Sequence, residues 1–213
     1  IELDRALRPE SFDNYIGQTE LLRKIRIATK AAKERDEPID HILFAGGPGL
    51  GKTTIANIIA KESDANCIQV GAPSIKKISD LLDILIKLQH KDIIFIDEIQ
   101  ALDKKIEESI YSAMEDFKVT IKLGNKQITQ IPVPAFCLIG ATTHPGKISA
   151  PLRDRFGISY TMHPYTDEEL ALIIKENSIK LDLSLSSDNI SLEIAKRSRG
   201  IPRIANRLLR RIR

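Results

Sequence analysis

Three stretches of this chain are nearly continuous in apolar residues: HILFAGG (41–47), DIIFIDE (92–98) and AFCLIGATT (135–143). A strand with one wet face alternates apolar and polar side chains, whereas a strand covered on both faces does not need to. These runs therefore predict buried, parallel strands. Between them, TTIANIIAKES (53–63) carries its apolar residues at helical spacing and predicts one of the covering helices. The fold class expected is α/β, a parallel sheet sandwiched by helices.

The segment KVTIKLGNKQITQIPVP (118–134) follows another rule. Val119, Ile121 and Leu123 alternate with polar residues, Gly124-Asn125 offers a turn, and Ile128 and Ile131 follow, so a projecting β-hairpin is expected, with a plain connecting loop as the alternative. Beyond RDRFGISY the pattern becomes wholly helical. TDEELALIIKENSIKL opens on Thr166-x-x-Glu169, the spacing of a capping box. Two more helical segments follow, with Gly200 closing one and Pro202 near the start of the next. A large domain over 1–163 and a small all-helical domain over 164–213 are expected.

Composition narrows the class. With 213 residues and 42% apolar content the chain can build a real core, and its 29% charged residues are mixed in sign. No run of eighteen apolar residues exists, so no membrane span is expected. The opening IELDRALRPE lacks an apolar signal core, and it lacks Met, so upstream residues are expected. Cys67 and Cys137 lie in apolar surroundings (NCIQV, FCLIG), which predicts buried free thiols in a reducing cytoplasm, not a zinc site. Net charge is only +3, yet Lys196 to Arg213 holds eight Lys/Arg and no acid. Two readings stand: a solvated helix face, or a contact for an anion or nucleic acid.

The strongest chemical signal is GGPGLGKTT. Gly46-x-x-x-x-Gly51-Lys52-Thr53 follows a predicted strand and opens a predicted helix, the context a phosphate-binding loop requires. Residues Gly46, Gly47, Pro48, Gly49, Leu50, Gly51, Lys52, Thr53 and Thr54 are expected to wrap the phosphates of a nucleotide. The helix dipole and backbone N–H groups suit the anion, Lys52 reaches the β- and γ-phosphates, and the Thr53 hydroxyl suits Mg²⁺. The run IIFIDE then ends in two acids. Asp97 is expected to complete the metal sphere and Glu98 to activate a water, which favours hydrolysis; an ordinary strand end with solvated charges reads the same way. Thr143, with Thr142 as second choice, ends the third strand and can bond the water or the γ-phosphate. Two arginines complete the candidate site. Arg155, exposed by context, and Arg203, opening the last helix, can stabilise a transition state gathering negative charge, often from a neighbouring subunit.

The stretches LRPESFDNYIGQ, GPGLGKTT, FIDEI, AMEDF, LIGATT, PLRDRFGI and RSRGIPRIANRLLRRIR, in this order and spacing, resemble the AAA+ ATPases. More closely they resemble the RuvB family of Holliday-junction branch-migration motors, along almost the whole chain. The resemblance implies an ATP-hydrolysing homo-oligomer, a hexameric ring with ATP and Mg²⁺ as cofactors, acting on double-stranded or branched DNA. It implies that Leu7, Arg8, Tyr15 and Ile16 border the adenine. Arg155 would reach a neighbour's site, and Tyr165, Pro202 and Arg203 would meet the nucleotide from the lid. Glu115, Asp116 and Phe117 match a segment near the subunit interface and nucleotide. The 118–134 hairpin matches the element that docks a RuvA-like junction-binding protein.

Three positions depart from the family pattern: Gly47 where proline is usual, Gln100 where histidine is usual, and His144 where arginine is usual. The family's C-terminal winged-helix domain has no counterpart in these residues, and a fragment or a shorter phage or mobile-element relative is expected. A clamp-loader-like ATP switch, a subunit that only binds nucleotide, and a small-molecule P-loop kinase are the rival readings. Glu98 and the arginines weigh against the last two.

Overall fold

The structure, a computed structural model, describes residues 6–123, 127–185 and 187–212. Strand β1 (Ile42–Ala45) explains the unbroken apolar runs. Ile42 and Phe44 pack on one side of the sheet with Ile25 of α1 (Thr19–Arg35) and Ile55 and Ile59 of α2 (Lys52–Glu62). Leu43 packs on the other side with Leu81 of α3 (Ile78–Leu85) and Ile106 and Ile110 of α4 (Lys104–Asp116). Strand β3 (Ile93–Asp97) divides likewise, with Ile93 and Phe95 on the first side and Ile94 and Ile96 on the second. Both faces are therefore apolar, and each fully buried side chain of this size contributes about 1.5–3 kcal/mol.

Among the described residues one parallel sheet has the order β2-β3-β6-β1-β7, where β2 is Cys67–Gly71, β6 is Cys137–Thr142 and β7 is Ile158–Thr161. All its pairings are parallel, so the C-terminal ends of β1, β3 and β6 open at the same edge. Ala45 pairs with Thr142 across β1 and β6, which sets the phosphate loop beside Thr143. Ligands of open parallel sheets bind at this edge, beyond the strand ends.

The two edge strands were not among those expected. β2 and β7 are only half-buried, so neither presents a continuous apolar run. The same edge position corrects one thiol: Cys137 is buried, but Cys67 on β2 is only partly so, and both are free.

Strands β4 (Lys118–Leu123) and β5 (Gln127–Pro132) form the antiparallel hairpin. Its Gly124-Asn125 turn lies outside the described residues. The register pairs Val119 with Ile131 and Ile121 with Thr129, but places Ile128 opposite Lys122. Ile128 thus lies on the other face of the ribbon from Val119 and Ile121. Val119 is fully buried and Ile121 packs partly against the same core, whereas Ile128 is 63% exposed. The Val119 face is therefore spent on the chain's own core, whereas Ile128 is exposed on the other face.

The helical unit comprises α6 (Asp167–Lys180), α7 (Asp188–Arg197) and α8 (Pro202–Arg211), after the four-residue helix α5 (Ala150–Arg153). Thr166 and Glu169 form the capping box, each side chain accepting the other's backbone N–H. Leu170, Ile174, Ala195, Ala205 and Leu209 join the α1/α2 side of the core, continuous with Tyr15 and Tyr165.

Candidate nucleotide site

The phosphate loop is shaped by its glycines. Gly49 (φ +81°) and Gly51 (φ +106°) adopt backbone conformations that other residues disfavour. A Cβ on Gly49 would lie 2.9 Å from Ile201 and one on Gly51 would lie 2.5 Å from the Tyr15 hydroxyl, so the lid and the N-terminal segment press directly on the loop. Gly47 has no such constraint, since a Cβ there would meet only Leu50 at 3.8 Å. The departure from proline at this position is thus accommodated locally.

Lys52 is 7% exposed and its ammonium donates to the carbonyls of Gly46 (2.7 Å) and Gly47 (2.8 Å). Burial lowers its pKa from the ordinary lysine value; the Asp97 and Glu98 carboxylates oppose this, and the Arg203 guanidinium adds to it. That balance puts one cation and two carboxylates within electrostatic reach of Lys52.

Glu98 sits in the left-handed backbone region (φ 51°, ψ 47°), a strained conformation for a residue other than glycine and one that clusters at functional sites. Its Oε2 accepts from Gln100 Nε2 at 2.5 Å and from Thr143 Oγ1 at 2.8 Å. The Gln100 bond, then those from Thr143, hold the carboxyl below its usual range against the opposing effect of burial. Thr143 therefore touches the acid directly. Thr142 is fully buried and donates to Gln100 Oε1 at 2.6 Å, so it is a support within the protein, not a ligand contact.

One cleft of about 450 Å³ gathers Leu7, Arg8, Tyr15 and Ile16, the loop from Pro48 to Thr54, Asp97, Glu98, Thr143, Tyr165, Pro202 and Arg203. Gly46 and Gly47 lie behind it and hold Lys52 through their carbonyls. Tyr165 donates to the Tyr15 hydroxyl at 2.8 Å and reaches the Leu50 carbonyl at 3.3 Å, joining lid, N-terminal segment and loop. Thr53 and Asp97 are hard oxygen donors on this cleft, the chemistry that suits Mg²⁺. No cluster of three His, Cys, Asp or Glu suited to another metal occurs among the described residues.

Arg155, Glu115, Asp116 and Phe117 are not on this cleft. Arg155 is also not the exposed arginine its context suggests. Its side chain is 23% exposed, pairs with Glu115 at 3.1 Å, donates to the Pro151 carbonyl at 2.7 Å and lies 4.3 Å over the Tyr111 ring. Its Nε is buried without a hydrogen-bond partner among the described residues. The fold brings it against Tyr111 and Glu115 of α4, distant in the chain, which local context does not reveal.

Several lining residues were missed. Arg207 and Arg210 line the cleft with Arg203, along one face of α8. Their spacing, four and three residues apart, was the available signal, and it sets these three at the cleft. Asn177 of α6, 3% exposed, donates to Asn206 at 2.8 Å at the same cleft. Gln100 was noted only as a departure, although it braces Glu98.

Comparison with known proteins identifies the family. Residues 7–162 match the family model described as the Holliday junction DNA helicase RuvB P-loop domain, and residues 165–213 match the RuvB AAA lid domain. The Holliday junction branch migration complex subunit RuvB of Campylobacter hominis is 51% identical over 215 residues, covering 100% of this chain and 63% of that protein. Its counterpart from Campylobacter fetus is 53% identical, covering 100% and 62%. The solved Thermotoga maritima RuvB branch migration motor has a TM-score of 0.89 at 46% identity, over 97% of this chain and 65% of that one. The chain thus spans less than two thirds of the length of these relatives. Within that span, both its nucleotide-binding part and its helical lid match family models, and the chain belongs to the RuvB family of AAA+ proteins.

Proposed function

We propose that this chain is the ATP-hydrolysing core and lid of a ring-forming motor that moves branched duplex DNA. The observation that carries the reading is the single cleft to which the phosphate loop, the strand ends bearing Asp97, Glu98 and Thr143, and the lid arginine Arg203 all contribute. Lys52 exchanges the carbonyls of Gly46 and Gly47 for the β- and γ-phosphates. Thr53 and Asp97 would hold Mg²⁺, which would supply charge neutralisation when bound. Glu98 accepts the proton of the attacking water, Thr143 orients water and acid, and Arg203 balances the charge from the lid. Pro202 and Tyr165 carry Arg203 and the base end of the cleft, with Leu7, Arg8, Tyr15 and Ile16 around the adenine.

Arg155 acts in a neighbour's site. It is off its own cleft and already close to the surface segment Glu115–Phe117, which would face the adjoining subunit. Reaching a γ-phosphate requires leaving Glu115, so assembly and turnover are coupled. The hairpin serves a RuvA-like junction-binding protein through the exposed face that carries Ile128. The names of the relatives, branch migration complex subunits, support branched DNA as the substrate. Two free thiols support a cytoplasmic setting. No helix among the described residues is long and apolar enough to cross a membrane.

The test mixes two inactive variants. Arg155→Ala should bind ATP normally and hydrolyse it roughly 10³–10⁵-fold more slowly, the worth of an arginine supplied in trans. Lys52→Ala should not bind ATP, yet it carries an intact Arg155. Mixed assemblies should recover part of the activity. Confirmed co-assembly without recovery would refute the shared-site reading.

A further inference from the structure

Gln100 lies in the short turn Ile99–Ala101 just after β3, and its amide is bonded at both ends. Nε2 donates to Glu98 Oε2 at 2.5 Å, and Oε1 accepts from Thr142 Oγ1 at 2.6 Å. The chemistry fixes the amide's orientation. A carboxylate oxygen can only accept, so it must meet the NH₂ group, and the carbonyl must face Thr142. Thr142 is itself pinned: it is fully buried at the end of β6 and its hydroxyl accepts the His144 backbone N–H at 3.0 Å. A continuous chain of bonds therefore runs from the His144 backbone through Thr142 and Gln100 to Glu98.

The distribution of bonds on Glu98 is one-sided. Oε2 accepts from Gln100, from Thr143 Oγ1 at 2.8 Å and from the Thr143 backbone N–H at 3.4 Å. Oε1 receives none of these. The left-handed backbone at Glu98 aims the side chain only in part, since the carboxylate can still rotate about its last bond. Something must fix the plane of the carboxylate, and with it the direction in which its unbonded oxygen points.

We propose that Gln100 is the positioning residue of Glu98: braced on Thr142, its amide holds Oε2 against the protein and leaves Oε1 as the oxygen that meets the attacking water. The assignment rests on the ATPase reading of the cleft. It gives Gln100 a role that depends on being donor and acceptor at once, which a purely space-filling side chain cannot meet.

The test uses the full protein with Gln100→Met, which keeps length and loses both bonds. Loss of orientation should lower kcat roughly 10- to 100-fold with ATP affinity unchanged, as expected when a reacting group is misplaced by up to about 1 Å. Gln100→His should restore most of the rate, because a neutral imidazole donates at one nitrogen and accepts at the other. Wild-type kcat in the Met variant overturns the proposal, as does a Met-like rate in the His variant. Should Gln100→Met fail to fold, Thr142→Val removes the brace from the other end and should lower kcat in the same direction; an unchanged kcat there also overturns it. A wild-type chain that binds ATP without turning it over would refute the ATPase reading instead. In that event the Gln100 side-chain amide resonance decides the bond: a shift on Glu98→Ala upholds it, and no shift overturns it.

Discussion

Replacing Tyr165 by Phe tests how the lid is tied to the phosphate loop. Tyr165 and Tyr15 are both buried, with hydroxyls 2.8 Å apart, and the Tyr165 hydroxyl also lies 3.3 Å from the Leu50 carbonyl. Burial pushes the Tyr165 phenol up to about 12 and raises that of Tyr15 well above its usual value, so both are neutral at physiological pH. Tyr165→Phe removes the donor and leaves two buried acceptors without it, a cost of about 1–3 kcal/mol. Tyr15→Phe removes one acceptor only, since Tyr165 can still turn its proton to Leu50, and should cost about 0.5–1.5 kcal/mol. The two substitutions share one bond, so the double variant should be less destabilised than the sum by about 1 kcal/mol. Urea unfolding near neutral pH measures all three, with unchanged m values as the sign that the same transition is compared. Equal costs for the two single variants, or strict additivity in the double, would refute the donor assignment and the latch.

His41 should give the fold a measurable pH dependence. Its Nδ1 accepts the Leu138 backbone N–H at 2.9 Å and its Nε2 lies 3.1 Å from the Met114 carbonyl, so the bonds suit the neutral ring, and burial lowers its pKa below 6.5. The unfolded chain therefore binds a proton first as pH falls through that value, and stability is lost from there down to the folded pKa. His41→Gln should flatten this part of a stability profile, and an unchanged slope would contradict the assignment. In the hairpin, Ile128→Lys should change stability by no more than about 0.5 kcal/mol while weakening binding of the proposed RuvA-like protein, measured by co-sedimentation. Val119→Asp should instead unfold the hairpin base, because it buries an unpaired charge, and a normally folded variant would count against that packing.

Legibility in the sequence followed burial. β1, β3 and β6 lie inside the sheet and are covered on both faces, so their apolar runs could be read directly. β2 and β7 lie at its edges, where half-burial interrupts the apolar run. The phosphate loop was legible because its chemistry is local: a glycine turn, Lys52 and Thr53 within one stretch. Gln100 and Asn177 were not, because their meaning lies in partners 42 and 29 residues away along the chain. Arg155 was misjudged for the same reason, since Glu115 and Tyr111 come to it only through the packing of α4.

In the proposed function Glu98 is the base of an ATP-hydrolysing site whose nucleotide is held by other residues. The most direct measurement is ATP affinity and steady-state turnover of Glu98→Gln on the same preparation. Glutamine keeps the size of the side chain but cannot take the water's proton. ATP should bind as tightly as to the wild type and turnover should fall by roughly 10²–10⁴-fold, the usual worth of a positioned general base. Turnover close to wild type, with ATP still bound, would contradict this role of Glu98.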